Sequence, residues 1–435
     1  MKRSSMNTAR RMMLFALLTL SLHAQQIAGT WQGTLDLGQQ KLRIVLQIDK
    51  AADSTLKGTV YSIDQGPDPA AVTTLSFANP TLKFVVDSLH ASYEGTMSAD
   101  GKTITGTVTQ GAPKPLVFER ATQETAWKID PSPHTVQMIS VDKDVKLEVL
   151  DWGGTGRPLV LLTGLGNNAH VFDKFAPKLA ATYHVYGITR RGFGVSSKPE
   201  AITANYTATR LGDDVLAVIE ALHINKPIVA GHSIAGEELS YIGSQHPDKV
   251  AGLIYLDAGY PYAMYDQVNG DFLIDAIDLR RQLNQILDMN PDADRKKALD
   301  GVIADLKFVE KGAIVQRQRM EDLPPPQWSR QPPPPVGTAI MLGQQRFTTI
   351  NAPALAIFAT PKDLGQLLKD NPKARAALQA ANNHDTEQQA TAFERQVPAA
   401  HVVRIPNASH YVFVSNEADV LREMNAFIAM LPAAN

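Results

Sequence analysis

The spacing of apolar residues changes twice along the chain. Over residues 29–35, 41–48, 56–63, 82–86, 91–97, 103–109 and 116–119, apolar and polar positions alternate in short runs bounded by Gly, Asp, Asn and Pro. A period of two predicts strands with one face buried. Asp100-Gly101, between two of these runs, predicts a hairpin turn, because glycine accepts the positive φ such turns need. Together the runs predict a small all-β barrel or sandwich over residues 25–121. No cluster of titratable residues stands out in it, which points to a structural or binding role.

Asp130-Pro131-Ser132-Pro133-His134 ends that pattern. Its two prolines keep the backbone extended, so residues 122–135 read as a linker. From residue 136 onward, apolar runs at 158–162, 185–188, 227–230, 250–256 and 354–358, and a similar one at 402–405 interrupted by Arg404, alternate with helical spacings. Leu211, Val215, Val218, Ile219 and Leu222 share one helix face, as do Val420, Leu421, Met424, Phe427 and Ile428. Strands without polar alternation are buried on both faces. The fold class predicted for 136–435 is therefore α/β, with a doubly wound, mostly parallel sheet. Residues 261–350 interrupt it with helical patterns (Leu273, Ile274, Ile277; Leu283, Ile286, Leu287) and no strand, which predicts a helical cap. The cap holds Pro324-Pro325-Pro326 and prolines 332–335 around Trp328, and a disordered low-complexity insert is the competing reading there.

The N-terminus adds a destination. Lys2, Arg3, Arg10 and Arg11 precede an apolar run, Met12 to Leu22, that ends at Leu22-His23-Ala24. That run is shorter than the roughly 20 residues needed to span a bilayer and suits a signal peptide over residues 1–24. Export to the periplasm or the medium is the expectation, with no stable membrane insertion after cleavage. The 435-residue length suits two or three units, and the absence of cysteine excludes disulfides, thiol nucleophiles and cysteine-based metal sites. A net charge of −2 argues against nucleic acid as a partner. No H-x-x-x-H spacing occurs, so neither a metal nor another cofactor is predicted.

The chemistry centres on Pro227-Ile228-Val229-Ala230-Gly231-His232-Ser233-Ile234-Ala235-Gly236. A buried strand runs into a serine flanked by small residues, and a helical pattern follows from Glu237. Such a turn presents the serine hydroxyl at the sheet edge, and the helix start aims the Ile234 N–H at the same space. On this motif and two others, residues 136–435 resemble the α/β-hydrolase superfamily. Ala235 stands where that family's second Gly is usual, and Gly236 follows it. Leu161-Leu162-Thr163-Gly164-Leu165-Gly166 is similar to the loop after the family's third strand, with Thr163 in place of its His. Thr189-Arg190-Arg191-Gly192-Phe193-Gly194-Val195-Ser196 is similar to its Arg-Gly-x-Gly-x-Ser segment, which is usually structural.

The resemblance implies Ser233 as nucleophile, and Leu165 and Ile234 as oxyanion-hole donors. His410, in a loop between the last strand and the final helix, is the expected base. Asp363, after the seventh strand, is the expected acid, with Asp257 after the sixth strand as its alternative. Tyr260, Tyr262, Met264, Tyr265 and Trp328 are expected to roof the substrate pocket or to form cap core. His232 is expected to pack behind the elbow. Haloalkane and epoxide hydrolases carry aspartate at the elbow, so a serine there favours acyl transfer to water, and first of all hydrolysis of a small-molecule carboxylic ester. A proline-directed peptidase or amidase acting on short peptides is the alternative of the same fold, and a noncatalytic ligand-binding member is the alternative of another class. Oligomeric state is not legible.

Overall fold

Trp31, Leu46, Leu82, Tyr93, Ile104 and Phe118 are the centre of one buried face, and the strands that carry them form a single antiparallel sheet. The computed structural model describes residues 27–37, 41–51, 53–64, 69–130, 132–288, 294–322 and 335–432. The chain divides into two compact units, residues 1–131 and 132–435. The first holds β1 (Gly29–Asp36), β2 (Lys41–Lys50), β3 (Leu56–Ser62), β4 (Ala70–Ala71), β5 (Thr74–Ala78), β6 (Thr81–Val86), β7 (Ala91–Met97), β8 (Thr103–Gln110) and β9 (Ala112–Arg120). Their order across the sheet is β4-β3-β2-β1-β9-β8-β7-β6-β5. The two ends of that order approach each other at residues 72 and 73. Val72 N–H donates to Gly58 O of β3, and Thr73 N–H donates to Val85 O of β6. The unit is thus one curled sheet, a half-barrel, and not two facing sheets. Gly101 takes φ +68 in the hairpin between β7 and β8, where Asp100 accepts the Ser98 hydroxyl and the Lys102 N–H.

The second unit is an eight-stranded sheet. It contains β10 (Thr135–Asp142), β11 (Val145–Gly153), β12 (Pro158–Leu162), β13 (His184–Ile188), β14 (Ile228–His232), β15 (Gly252–Leu256), β16 (Ala354–Ala359) and β17 (Ala400–Ile405), in the order β10-β11-β13-β12-β14-β15-β16-β17. The strands from β13 to β17 in that order are parallel, while β11 runs antiparallel to both its neighbours. The sequence pattern did not predict β10 or β11; in β10 no residue is fully buried, and apolar Val136 and Met138 lie on its exposed positions.

Side chains alternate between two apolar layers. Val160, Leu162, Tyr255, Ala356 and Phe358 face the layer that includes helices Ala208–Ala221 and Gly236–Gln245. Leu159, Leu161, Ile254, Leu256 and Ile357 face the layer covered by residues 169–179 and helix Glu417–Met430. Burial on both faces is the physical reason these strands read as unbroken apolar runs. The chain steps outward from β12 to β13, then back to β14. The carboxyl ends of β12 and β14 therefore flank a topological switch point, where open α/β sheets form their ligand crevice.

Between β15 and β16 lie helices Phe272–Leu287, Arg295–Asp322 and Pro335–Leu342, with no strand among the described residues. Arg346 ties the first two together, pairing with Asp275, with Asp278 at 2.9 Å and with Asp305 at 2.9 Å. The predicted signal peptide, Trp328 and the cap prolines at 324–326 and 332–334 lie outside the described residues. Among the described residues no helix is long and apolar enough to cross a membrane. Helix Pro372–Gln396 was not predicted. Its start is readable, with Pro372 in the first turn and the Asn371 side chain accepting the Ala374 N–H, but its Ala, Gln and Asn body has little apolar periodicity.

Candidate active site

Ser233 stands directly beyond β14, at φ +55, before the helix that starts at Gly236. A non-glycine residue at positive φ is strained, and such strain persists only where the surroundings over-determine it. The neighbours of this turn are tightly packed. A Cβ on Gly236 would lie 2.1 Å from Ala258 O, and one on Gly231 would lie 2.9 Å from the Ala235 Cβ. The elbow thus needs glycine at 231 and 236, while the methyl of Ala235 is fully buried. That accounts for the displaced second glycine of the motif.

The serine hydroxyl meets an imidazole from far along the chain. His410 Nε2 is 2.9 Å from Ser233 Oγ, and His410 Nδ1 is 2.7 Å from Asp257 Oδ2. The hydrogen-bond network assigns the proton on Nδ1, donated to the carboxylate, so Nε2 accepts from the serine. Asp257 is fully buried just past β15, at φ +46. Its Oδ1 accepts the Tyr260 hydroxyl at 2.8 Å and the Ala359 N–H at 3.0 Å, and Lys362 Nζ lies 3.1 Å from Oδ2. Burial alone would raise its pKa. The bond to His410, the Lys362 charge and the Ala359 N–H outweigh it and hold the carboxyl below its ordinary range.

The expectation that Asp363 faces the histidine is corrected. The Asp363 backbone does reach that loop, donating its N–H to Ala408 O at 2.8 Å, but its exposed carboxylate accepts the Gly365 N–H at 2.8 Å. β15 and β16 are neighbours, so both strand ends point at the same crevice. Only the residue flush with its strand reaches the imidazole, since Thr360-Pro361-Lys362 carries Asp363 past it.

His232 links the elbow to the base loop. Its Nε2 donates to His410 O at 2.9 Å, and its ring packs 4.6 Å from the His410 ring and 4.7 Å from that of Tyr411. Burial, followed by the neighbouring His410, lowers its pKa to about 3, so it stays neutral. On the other side, a Cβ on Gly164 would fall 2.7 Å from His232 Nδ1 and 3.2 Å from Ser233 Cβ. The turn after β12 can approach the serine only because residue 164 is glycine. Leu165 and Ile234, the expected oxyanion donors, sit in that turn and at the helix start. Neither N–H donates to a backbone acceptor in the turns and loops of the described residues.

The expected pocket aromatics divide. Tyr262 lies within hydrogen-bonding reach of Ser233, and burial first, then the Asp257 charge, keeps its phenol protonated well above the ordinary range. Tyr260 is corrected to a support of the acid, since it donates to Asp257 and accepts from Lys362 Nζ at 2.9 Å. Tyr265 is cap core, donating to Asp275 at 2.6 Å beneath the Arg346 guanidinium, and Met264 is buried with its carbonyl accepting from Gln389. Lys362 and the Tyr260 hydroxyl were missed as partners of the acid. The sequence signal for both was their place at the ends of adjacent buried strands.

A parallel sheet whose switch point holds a strained serine, an imidazole and a buried carboxylate defines an α/β-hydrolase architecture. A family model described as alpha/beta hydrolase fold matches residues 157–333. A fluoroacetate dehalogenase from a Burkholderia species is 34% identical over 119 residues, covering 27% of this chain and 39% of that protein. An AB hydrolase superfamily protein of Bacillus subtilis is 32% identical over 146 residues, 31% of this chain and 53% of its own. The chain thus spans between two fifths and about half the length of these two curated relatives. A solved hydrolase from Pseudomonas aeruginosa is similar with a TM-score of 0.43 and 17% identity, covering 68% of this chain and 98% of its own. The second unit thus has an α/β-hydrolase fold, and the family model of that fold matches residues 157–333 within it.

Proposed function

We propose that the protein is an exported serine hydrolase that cleaves a small carboxylic ester through an acyl-serine intermediate. One observation carries the reading: the continuous hydrogen-bonded path from Ser233 through His410 to the buried Asp257. His410 Nε2 takes the hydroxyl proton as Ser233 Oγ attacks the carbonyl carbon, and Asp257 stabilises the resulting imidazolium. The N–H groups of Leu165 and Ile234 receive the developing oxyanion. Collapse breaks the bond to the leaving alcohol, which takes the proton from His410. A water molecule then repeats the sequence to release the acid.

Serine at the elbow separates this chain from chemistry that needs an aspartate there, whatever the names of its relatives. An amide or short peptide would be handled by the same groups, and it is the second reading. A noncatalytic binder has no use for a strained hydroxyl already bonded to a base. Export rests on the sequence of residues 1–24 alone.

The test is covalent labelling by a fluorophosphonate, together with turnover of a panel of p-nitrophenyl esters beside proline-β-naphthylamide, with Ser233→Ala as control. Labelling at Ser233 and ester turnover are the expected results. A folded protein that neither labels nor turns over any member of the panel would return the binder reading.

A further inference from the structure

Arg190 belongs to a segment whose sequence reads as structural, yet its guanidinium lies beneath the proposed oxyanion site. Arg190 follows β13 and is buried, as is Glu238 on the helix after Ser233. Arg190 Nε donates to Glu238 Oε1 at 2.6 Å. One terminal nitrogen donates to Thr163 O at 2.9 Å, and the other lies 3.5 Å from Gly164 O. One planar cation therefore touches the nucleophile helix and two successive carbonyls of the turn after β12.

The peptide bond converts that contact into a direction. In a trans peptide the carbonyl and the next residue's N–H point oppositely. A guanidinium on the carbonyl side of peptides 163–164 and 164–165 turns the N–H groups of Gly164 and Leu165 to the far side. Ser233 bounds that turn, as the 3.2 Å approach of a Gly164 Cβ to its Cβ requires. A lysine could supply the charge but not the fork that spans two carbonyls. If the only need were to join strand to helix, two apolar side chains would do it at lower desolvation cost. Beside the pair, the Glu237 carboxyl accepts no hydrogen bond among the described residues, and burial together with the Glu238 charge raises its pKa well above the ordinary value.

We infer that the Arg190–Glu238 pair is the positioning element of the oxyanion site, holding the Thr163-Gly164-Leu165 turn so that the Leu165 N–H faces the space above Ser233. The guanidinium also polarises that peptide toward its N–H end. The inference rests on the acyl-serine reading. Arg190 touches no reacting atom, so it is a positioning residue.

The experiment compares the wild-type protein with Arg190→Lys and with the double variant Arg190→Leu/Glu238→Leu, which removes both charges and leaves neither orphaned. For a p-nitrophenyl ester, kcat is expected to fall about 10- to 100-fold in both, with KM within about twofold, because an oxyanion donor acts mainly in the transition state. Affinity for a boronic acid, which mimics the tetrahedral oxyanion, is expected to fall by the same factor, while the melting temperature of the double variant stays near wild type. A folded double variant that keeps wild-type kcat and boronate affinity overturns the inference. So does a fall in melting temperature with kcat intact. Should the double variant not fold, Arg190→Lys and Glu238→Gln are compared in its place, where a loss of kcat and boronate affinity supports the inference and wild-type values of both overturn it. Wild-type protein that neither labels nor turns over an ester would sink the acyl-serine reading itself, before any variant is made.

Discussion

The two units bury different things. Among the described residues of the first, Gln32 is the one buried polar side chain, and it is satisfied locally by Thr125 O and the Trp127 N–H. The second buries Glu148, His170, Arg190, Arg191, Asp214, His232, Glu237, Glu238 and Asp257 around or beneath the end of its sheet. Buried charge is costly unless paired, so the two units are built on different terms. The half-barrel is held by Trp31, Phe118 and their neighbours. In the second unit the apolar layers are the frame, and the polar groups between β12, β14 and β15 set directions.

Substitutions can break or sharpen that contrast. The largest effect belongs to the acid. Asp257→Asn should lower kcat by about 10³- to 10⁴-fold, because His410 loses the partner that fixes its tautomer, whereas Asp363→Asn should stay within about threefold. Steady-state ester kinetics on both variants decide it, and equal losses would contradict the geometry.

Trp31→Ala comes next, and it should act on stability alone. It removes a fully buried indole that donates to Ile27 O and stacks under Arg120, at a cost of about 3–5 kcal/mol, read by proteolysis of residues 27–130 in urea. Gly236→Ala should cost about 1–3 kcal/mol in urea denaturation, because its methyl would meet Ala258 O, while Ala235→Gly should cost less than about 1 kcal/mol.

The smallest effect is one of pH. Burial disfavours the charged form of His170, but Asp173 at 3.1 Å and Glu148 at 3.5 Å outweigh it and raise its pKa from 6.5 to about 9. A raised folded pKa stabilises most below 6.5, and that contribution disappears as pH climbs through about 9. The melting-temperature gap between wild type and His170→Gln should therefore be widest near pH 6 and close toward pH 9. A gap that widens with pH would reverse the assignment.

Much of the frame was legible in the sequence, for a physical reason. Strands buried on both faces have no polar alternation, so β12, β14, β15 and β16 were visible as apolar runs, while the half-buried edge strand β17 was visible from Val402, Val403 and Ile405 alone. Ser233 was visible because a strained turn tolerates only small neighbours, and His410 because it follows the last such run. What stayed hidden depended on neighbours across the sheet. Asp257 and Asp363 each end a strand, and only the pairing of β15 with β16 shows that the first is flush with the imidazole and the second overshoots it. Tyr260 looked like a pocket aromatic until its hydroxyl was seen on Asp257. The half-exposed β10 and the Ala- and Gln-rich helix Pro372–Gln396 bury too narrow a stripe to leave a clear period.

The central claim concerns one covalent bond, and acid quenching during turnover of p-nitrophenyl acetate tests it most directly. Digestion and mass spectrometry of the quenched protein should find an acetyl group on the peptide containing Ser233, at up to one per chain, and none in Ser233→Ala. Undiminished turnover by Ser233→Ala, or an acetyl group on any other residue at that stoichiometry, would contradict it.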